Sequence, residues 1–296
     1  MKVKIITDSA ADLSEEIIKK YDIEVVPFSV RLEEKEFLDG KEISSKEVLQ
    51  GMRDGNIYKT AQVSPQSFYE TFSKYAESHD FCIYIGFSSK LSGTYQTSVM
   101  IKNQIKDEYP DFNLEVIDSR CASLGQGLVV IEAAKILQNI NTENLTRHYI
   151  EEDFIKKIEF LAQHMEHIFT VDDLEYLYRG GRISKSKAFM GGLLNIKPIL
   201  EMDKGELKPL KKVRGRKKVY KKMLDIVEER GVKLSDQVIG ISHGDDLEGA
   251  EVLKEMVQDK FGCDKFVINI LGSTISAHAG PGTLSLFFLN NISYKN

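Results

Sequence analysis

The stretch that most constrains this chain is Phe81–Thr97, FCIYIGFSSKLSGTYQT. It opens as an apolar run rich in aromatic and β-branched side chains, with Gly86 one residue before the run ends at Phe87, and so predicts a buried strand. Polar residues follow at once, Ser88, Ser89, Lys90, Ser92, Gly93 and Thr94, and then Tyr95, Val99, Lys102 and Ile105 recur at helical spacing. A strand, a short hydroxyl-rich loop and a helix form the repeating unit of a parallel α/β sheet. Free amides at the helix start, joined by hydroxyl donors, suit a phosphate or a carboxylate, because the donors and the helix dipole both favour negative charge. An ordinary serine N-cap produces the same pattern.

The segments before and after repeat the theme. Lys2–Thr7 reads as a strand that ends in Asp8-Ser9-Ala10-Ala11-Asp12, with helical spacing in Leu13, Ile17 and Ile18. A loop beyond the C-terminal end of a parallel strand is a candidate site wall, although Asp8 and Asp12 also suit a turn former and an N-cap. Glu24–Leu32 is a second strand made irregular by Pro27, and the polar EEKEFLDGKEIS after it suggests a hairpin or excursion. Ser44 or Ser45 starts a short helix. Thr60 is expected in a loop just before another helix, with Ser64 as N-cap and Pro65 at its first position, well placed to give a hydroxyl to a ligand. Leu114–Ile117 is a further strand; Gly125 and Gly127 beyond it lack the third glycine of a dinucleotide fingerprint, and close backbone packing is the simpler reason for them. Residues 1–162 are therefore expected to form a Rossmann-like domain with a mostly parallel sheet.

A helix from about Thr142 to Met165 leads into a second α/β domain, residues 163–296, with a mixed sheet. Glu166–Val171 predicts a strand, and Asp172 or Asp173 caps a short helix that stops at Gly180-Gly181. His164 and His167 stand three apart, but without a third ligand at a useful spacing they read as a solvated helix end, not a metal pair. Ala188–Leu194, AFMGGLL, suits core or a greasy ligand wall. Ile196–Met202 and Glu206–Leu210 flank the hairpin signal Asp203-Lys204-Gly205. The run LKPLKKVRGRKKVYKK that follows is a solvated basic face or a dock for an anionic partner. Alternation resumes with strand Gln237–Ser242, a helix over Leu247–Met256 and strand Phe266–Leu271. His278 then lies between a strand end and the Gly280-Pro281-Gly282 turn, on backbone that can approach a ligand closely. A histidine bonded to a nearby carbonyl would look the same.

Composition narrows the function. The chain has 296 residues, enough for two domains. No apolar run approaches the roughly 18 residues of a spanning helix, and the opening MKVKIITDSAAD turns polar without a signal cleavage site. Cys82, Cys121 and Cys263 are too far apart for a disulfide framework or a zinc site, which fits a reducing compartment and a cytoplasmic protein. A net charge of −5 argues against a protein dominated by nucleic-acid binding. There is no P-loop and no GxSxG elbow.

Four features occur in order along the chain: Thr7-Asp8-Ser9, Ser88-Ser89-Lys90-Leu91-Ser92-Gly93-Thr94-Tyr95, Val171-Asp172-Asp173-Leu174 with Gly180-Gly181-Arg182-Ile183, and His278-Ala279-Gly280-Pro281-Gly282. Together they closely resemble the DegV family of bacterial fatty-acid-binding proteins. The resemblance implies a two-domain α/β protein whose cleft holds a long-chain fatty acid, its carboxylate bonded by Thr60, Ser92 and His278, with Gly93 and Gly280 beside them. After Thr60 the chain reads AQVSP where family members often have SQPS, so the neighbouring hydroxyl is missing. Carrier members of the family present their fatty acid to a separate kinase subunit of the dihydroxyacetone-kinase type, which makes acyl phosphate for phospholipid synthesis. Carried to this chain, that implies no cofactor, no catalysis of its own, and a docking face that includes Arg179 and Arg182. A transient contact with a membrane surface is compatible with the same role.

The residues alone also allow a hydrolase or transferase. Ser92 and His278, with Asp8 or Asp118 as orienter, would need the Ser–His hydrogen bond of a triad. A regulator acting through the basic run 208–222 is a third reading, disfavoured by the net charge.

Overall fold

The computed structural model describes residues 1–78, 80–140, 145–184 and 196–294. Strand β1 (Val3–Asp8) pairs in parallel with β2 (Glu24–Val26). Pro27 cannot donate to a ladder, and the chain leaves this sheet there for a small antiparallel one, β4 (Lys35–Leu38), β3 (Ser29–Leu32) and β5 (Tyr58–Ala61). The irregular second strand of the sequence is thus two strands in two sheets. β6 (Phe81–Gly86) returns to the other side of β1, and β7 (Asn113–Asp118) lies outside it, giving the parallel order β2-β1-β6-β7. All six residues of β6 are buried, as an apolar strand covered on both faces requires. The order reverses between β1 and β6, so the loops after these strands, Asp8–Asp12 and Phe87–Gly93, diverge and leave a crevice at their C-terminal ends.

The second sheet holds β8 (Met165–Thr170), β9 (Ile196–Asp203), β10 (Glu206–Arg214), β11 (Val238–His243), β12 (Lys265–Ile270) and β13 (Leu284–Leu289) in the order β10-β9-β8-β13-β11-β12. Only the β11–β12 pair is parallel, so the sheet is mixed. Lys204 and Gly205, both at positive φ, turn the β9–β10 hairpin. An α/β fold with two such sheets is the expected class.

Helix Leu124–Asn139 joins the two halves. Val129, Val130, Ala133 and Ala134 pack with Ile83 and Ile85 of β6, while Leu128 and Ile131 meet Phe287 of β13. Its glycines are places of close approach: a Cβ on Gly125 would collide with the His167 ring, and one on Gly127 with the Ala11 carbonyl.

Two buried carboxylates knit the halves further. Asp39 accepts Ser9 Oγ at 2.9 Å and the amides of Ser273 and Thr274 at 3.0 and 3.2 Å, which are the first amides of the short helix Ser273–Ala279. Asp12, in the left-handed region at φ 52°, accepts Ser123 Oγ and the Gly272 amide, and its carbonyl accepts Asn269 Nδ2. It is not the N-cap of the helix that follows, Glu15–Tyr21, which Ser14 caps; Asp12 instead ends the short 3-10 turn Ser9–Ala11, its amide donating to the Ser9 carbonyl.

Two expectations change. Thr60 lies within β5, not in a loop. His167 is on β8 and 3% exposed, so it is no solvated helix end, whereas His164 caps the preceding helix and bonds Asn290. Ala188–Leu194 falls outside the described residues, as does the start of the helix expected from Thr142.

Replacing Asp39 by alanine strands three donors, two of them buried amides. Asp39→Ala is expected to lower unfolding free energy by about 3 kcal/mol in urea titrations. A loss below about 0.5 kcal/mol, the range of ordinary surface changes, would show that Asp39 is not a clamp.

Candidate functional site

Between the two sheets lies a cavity of about 90 Å³, with a mainly apolar wall and a polar end. Phe28 and Phe87 line one wall, their rings edge to face at 5.8 Å, and Leu91, Phe169, Met202, Leu207 and Ile275 continue it. At the polar end stand Thr60, Gln62, Ser92, Arg182 and His278. They come from four places in the fold: β5 and the residue after it, the loop after β6, the turn after helix Glu175–Arg179, and helix Ser273–Ala279.

The polar groups partner one another. Thr60 Oγ1 and His278 Nε2 share a hydrogen bond at 2.7 Å. Ser92 Oγ meets Thr94 Oγ1 at 2.9 Å and accepts the Thr94 amide. Gln62 Nε2 donates to Thr97 Oγ1 at 2.8 Å. The helix at Thr94 begins without a serine cap; Gly93 holds that position, in contact range of the Gln62 amide. Gly280, at φ 82°, ends the short helix, and a Cβ there would strike Tyr176. Neither glycine lines the cavity; both permit the close packing that shapes it.

Electrostatics favour an anion. His278 is driven down to about 4 by burial and by the nearby Arg182 cation, so at neutral pH it is an uncharged imidazole. Its Nδ1 is out of reach of solvent and has no partner. Arg182 donates Nε to the Leu91 carbonyl at 3.1 Å and Nη1 to the Gly180 carbonyl. Both partners are neutral, and among the described residues no carboxylate lies in ion-pair range of this guanidinium. Burial lowers its pKa without discharging it. An uncompensated cation at the end of an apolar cavity attracts a carboxylate more strongly than it would in water. Arg182 therefore faces the cavity, while Arg179 is exposed at the rim, its guanidinium 5.9 Å from the Tyr176 ring.

The triad of a hydrolase is not assembled. Ser92 bonds Thr94, and His278 bonds Thr60. Asp8 accepts Tyr84, Gln126 and the amides of Ala10 and Phe87, and Asp118 accepts Ser89 and the Arg120 amide. Both carboxylates are committed to loop structure. No group of three or more His, Cys, Asp or Glu suited to a metal occurs among the described residues, and no helix there is long and apolar enough to cross a membrane.

Sequence reasoning overlooked Gln62, His167 and the inward turn of Arg182. Thr60 and Gln62, like His167 and Phe169, are two apart, the spacing that puts strand residues on one face. His167 Nδ1 donates to the Met165 carbonyl and Nε2 accepts the Ala122 amide, which fixes a neutral ring, and burial pushes its pKa down to about 4.

This ring makes stability depend on pH. An ordinary histidine near 6.5 takes a proton in the unfolded chain that the folded ring refuses until about pH 4. Its contribution is therefore whole above 6.5 and is lost as pH falls through that window. Asp8, raised to about 6 by burial, acts in the opposite sense, its share being lost as pH rises. Comparison with His167→Gln isolates the histidine: the variant's stability deficit should shrink by about 3 kcal/mol between pH 7 and pH 4. A pH-independent deficit would exclude a buried neutral ring.

The family model described as "Uncharacterised protein, DegV family" matches residues 2–291. A DegV domain-containing protein of Clostridium perfringens is 37% identical over 293 residues, 98% of each chain. One from Caldanaerobacter subterraneus is 34% identical over 287 residues, 97% of this chain and 98% of its own. Among solved structures, a DegV family protein of Thermus thermophilus described by its fatty acid binding superposes with a TM-score of 0.85 at 29% identity, over 97% of this chain and 99% of that one. A stearic acid-binding protein of Eubacterium ventriosum has a TM-score of 0.85 at 27% identity, over 97% and 99%. Matched along nearly its whole length in sequence and in fold, the chain belongs to the DegV family.

Proposed function

We propose that this protein binds a long-chain fatty acid, with the carboxylate against Thr60, Ser92 and His278 and beside Arg182, and the tail in the apolar cavity. The observation that carries the reading is the polar end of that cavity: hydroxyls, a neutral imidazole and an uncompensated arginine closing a wall of Phe, Leu and Met side chains. Burying a carboxylate costs many kcal/mol unless donors meet it, and Thr60, Ser92, His278 and Arg182 would supply them. The tail supplies affinity at roughly 0.8 kcal/mol per buried CH2. A cavity of about 90 Å³ is small for such a tail, so side chains such as Met202 and Leu207 must move apart on binding. The fatty acids named for Thermus and Eubacterium relatives support the same ligand class.

The finer role follows the family resemblance. The protein would act as a carrier without catalysis of its own, and a separate dihydroxyacetone-kinase-like subunit would bring ATP and Mg2+. A carboxylate oxygen would attack the γ-phosphorus as the bond to ADP breaks, giving acyl phosphate for phospholipid synthesis. We assign the docking face to Arg179 and the exposed bases around Arg214–Lys218, and place the domain boundary at 162/163, in the cytoplasmic setting the cysteines suggest.

Lipid extracted under denaturing conditions from purified protein should contain a long-chain fatty acid in near-equal amount. Thr60→Ala, Ser92→Ala and His278→Ala should each weaken retention by roughly 1.5–3 kcal/mol while leaving the protein folded. No extractable lipid, together with no thermal shift on adding fatty acid, would overturn the reading. Acyl phosphate formed from ATP without a kinase subunit would overturn the carrier role.

A further inference from the structure

The wall of the apolar chamber holds one polar group that the carboxylate does not need. Helix Ser273–Ala279 gives Thr274, Ile275, His278 and Ala279 to the chamber, the spacing of a single helical face. Its two serines lie off that face and are satisfied: Ser273 Oγ donates to the Ile43 carbonyl at 3.2 Å and Ser276 Oγ to the Leu271 carbonyl at 3.0 Å. Thr274 differs. Its amide is taken by Asp39, the residue is 3% exposed, and its Oγ1 is out of reach of solvent with no hydrogen-bond partner among the described residues. The other hydroxyls on the chamber wall are engaged, Thr60 with His278, Ser92 with Thr94, Ser123 with Asp12 and Ser242, and Thr283 with the Ala279 and Gly280 carbonyls. A buried hydroxyl without a partner is costly, and a valine of nearly the same shape would fill the space without that cost.

We propose that Thr274 marks a polar subsite for an oxygen carried on the acyl chain, so that the chamber takes a hydroxy fatty acid whose hydroxyl lies a few carbons from the carboxylate. The inference rests on the fatty-acid reading above and narrows its substrate class. Thr274 precedes His278 by four residues, about 6 Å along the helix axis. Leu271, just before the helix, also lines the chamber, so the space continues past Thr274 away from His278. An extended chain advances roughly 1.2 Å per bond, since the three bonds of an extended peptide unit span roughly 3.6 Å. With the carboxylate held at His278, Thr274 stands opposite about the fifth carbon, and the reach of its side chain covers roughly C3 to C7. A threonine hydroxyl both donates and accepts, so it pairs with a secondary alcohol in either direction. A plain methylene chain offers it nothing. A ligand hydroxyl placed elsewhere on the chain meets wall groups that are apolar or already paired, and is itself left unsatisfied.

The test is a calorimetric comparison, on delipidated protein, of palmitate with 3-, 5-, 7- and 16-hydroxypalmitate. In the wild type the best of the three near-end isomers should bind at least as tightly as palmitate, and 16-hydroxypalmitate about tenfold more weakly or worse. Thr274→Val should lower the affinity of that best isomer relative to palmitate about fivefold or more, the weight of one neutral hydrogen bond. Thr274→Ser, which keeps the hydroxyl, should hold the wild-type ratio within about twofold. The ratio is the readout because a change in packing alone would weaken both ligands together. Should Thr274→Val fail to fold, the isomer series on the wild type and on Thr274→Ser still decides. No near-end isomer matching palmitate in the wild type, or a ratio that Thr274→Val leaves unchanged, would overturn the subsite while the fatty-acid reading stands. Failure of palmitate and of every hydroxy isomer to bind would sink the fatty-acid reading and the subsite with it.

Discussion

The structure depends most on the carboxylate of Asp39. Helix Ser273–Ala279 has seven residues, too few to persist on propensity alone. Asp39, from the first half of the chain, takes its first two amides and fixes its N-terminus. The other end is fixed by the Gly280-Pro281-Gly282 turn, where Gly282 donates to the Gly244 carbonyl at 2.7 Å and Gly244 to the Thr283 carbonyl at 2.8 Å. His278 sits in the last turn of this doubly anchored helix. Its meeting with Thr60 on β5 is therefore set by contacts across the two halves, not by the local sequence.

The hydroxyl groups at the polar end of the cavity are satisfied without a ligand. Thr60 with His278, and Ser92 with Thr94, satisfy each other, so an empty cavity leaves few polar atoms stranded. The arginine is different: among the described residues its hydrogen bonds go to neutral carbonyls and its charge has no counterion. Hydroxyl pairs keep the polar end in place, while the unmatched charge gives an anion a reason to enter. Hydroxyl pairs of the first kind are costly only when broken; a half-buried charge of the second kind favours a counter-charge where the dielectric is below that of water.

Much of this was legible in the sequence, and the failures have physical causes. Strand-loop-helix units were readable because β6 is uniformly apolar and Ser64-Pro65 is a strong helix start. Pro27 announced an irregular strand, but not that the two pieces belong to different sheets, which only pairing with β1 and β5 decides. His164 and His167 looked like one helical face because a helix ends at Gln163 and a strand begins at Met165, leaving no turn residues to mark the change. Thr60 and His278 were expected at one site, and the fold does bring their side chains together, yet nothing local indicated that Arg182 turns inward. Its orientation comes from the carbonyls of Leu91 and Gly180, one of them in the other half of the chain.

The position of β13 has a consequence for how the chain is made. This strand, the last in sequence, is inserted between β8 and β11 and pairs with both. All strands of the first sheet lie within residues 3–118, so that layer can close while the ribosome is still adding residues. The second sheet cannot do the same. Until Leu284–Leu289 leaves the exit tunnel, β8 and β11 each face a gap, and nascent chains stalled short of residue 284 carry two open edges that proteases and neighbouring nascent chains can reach.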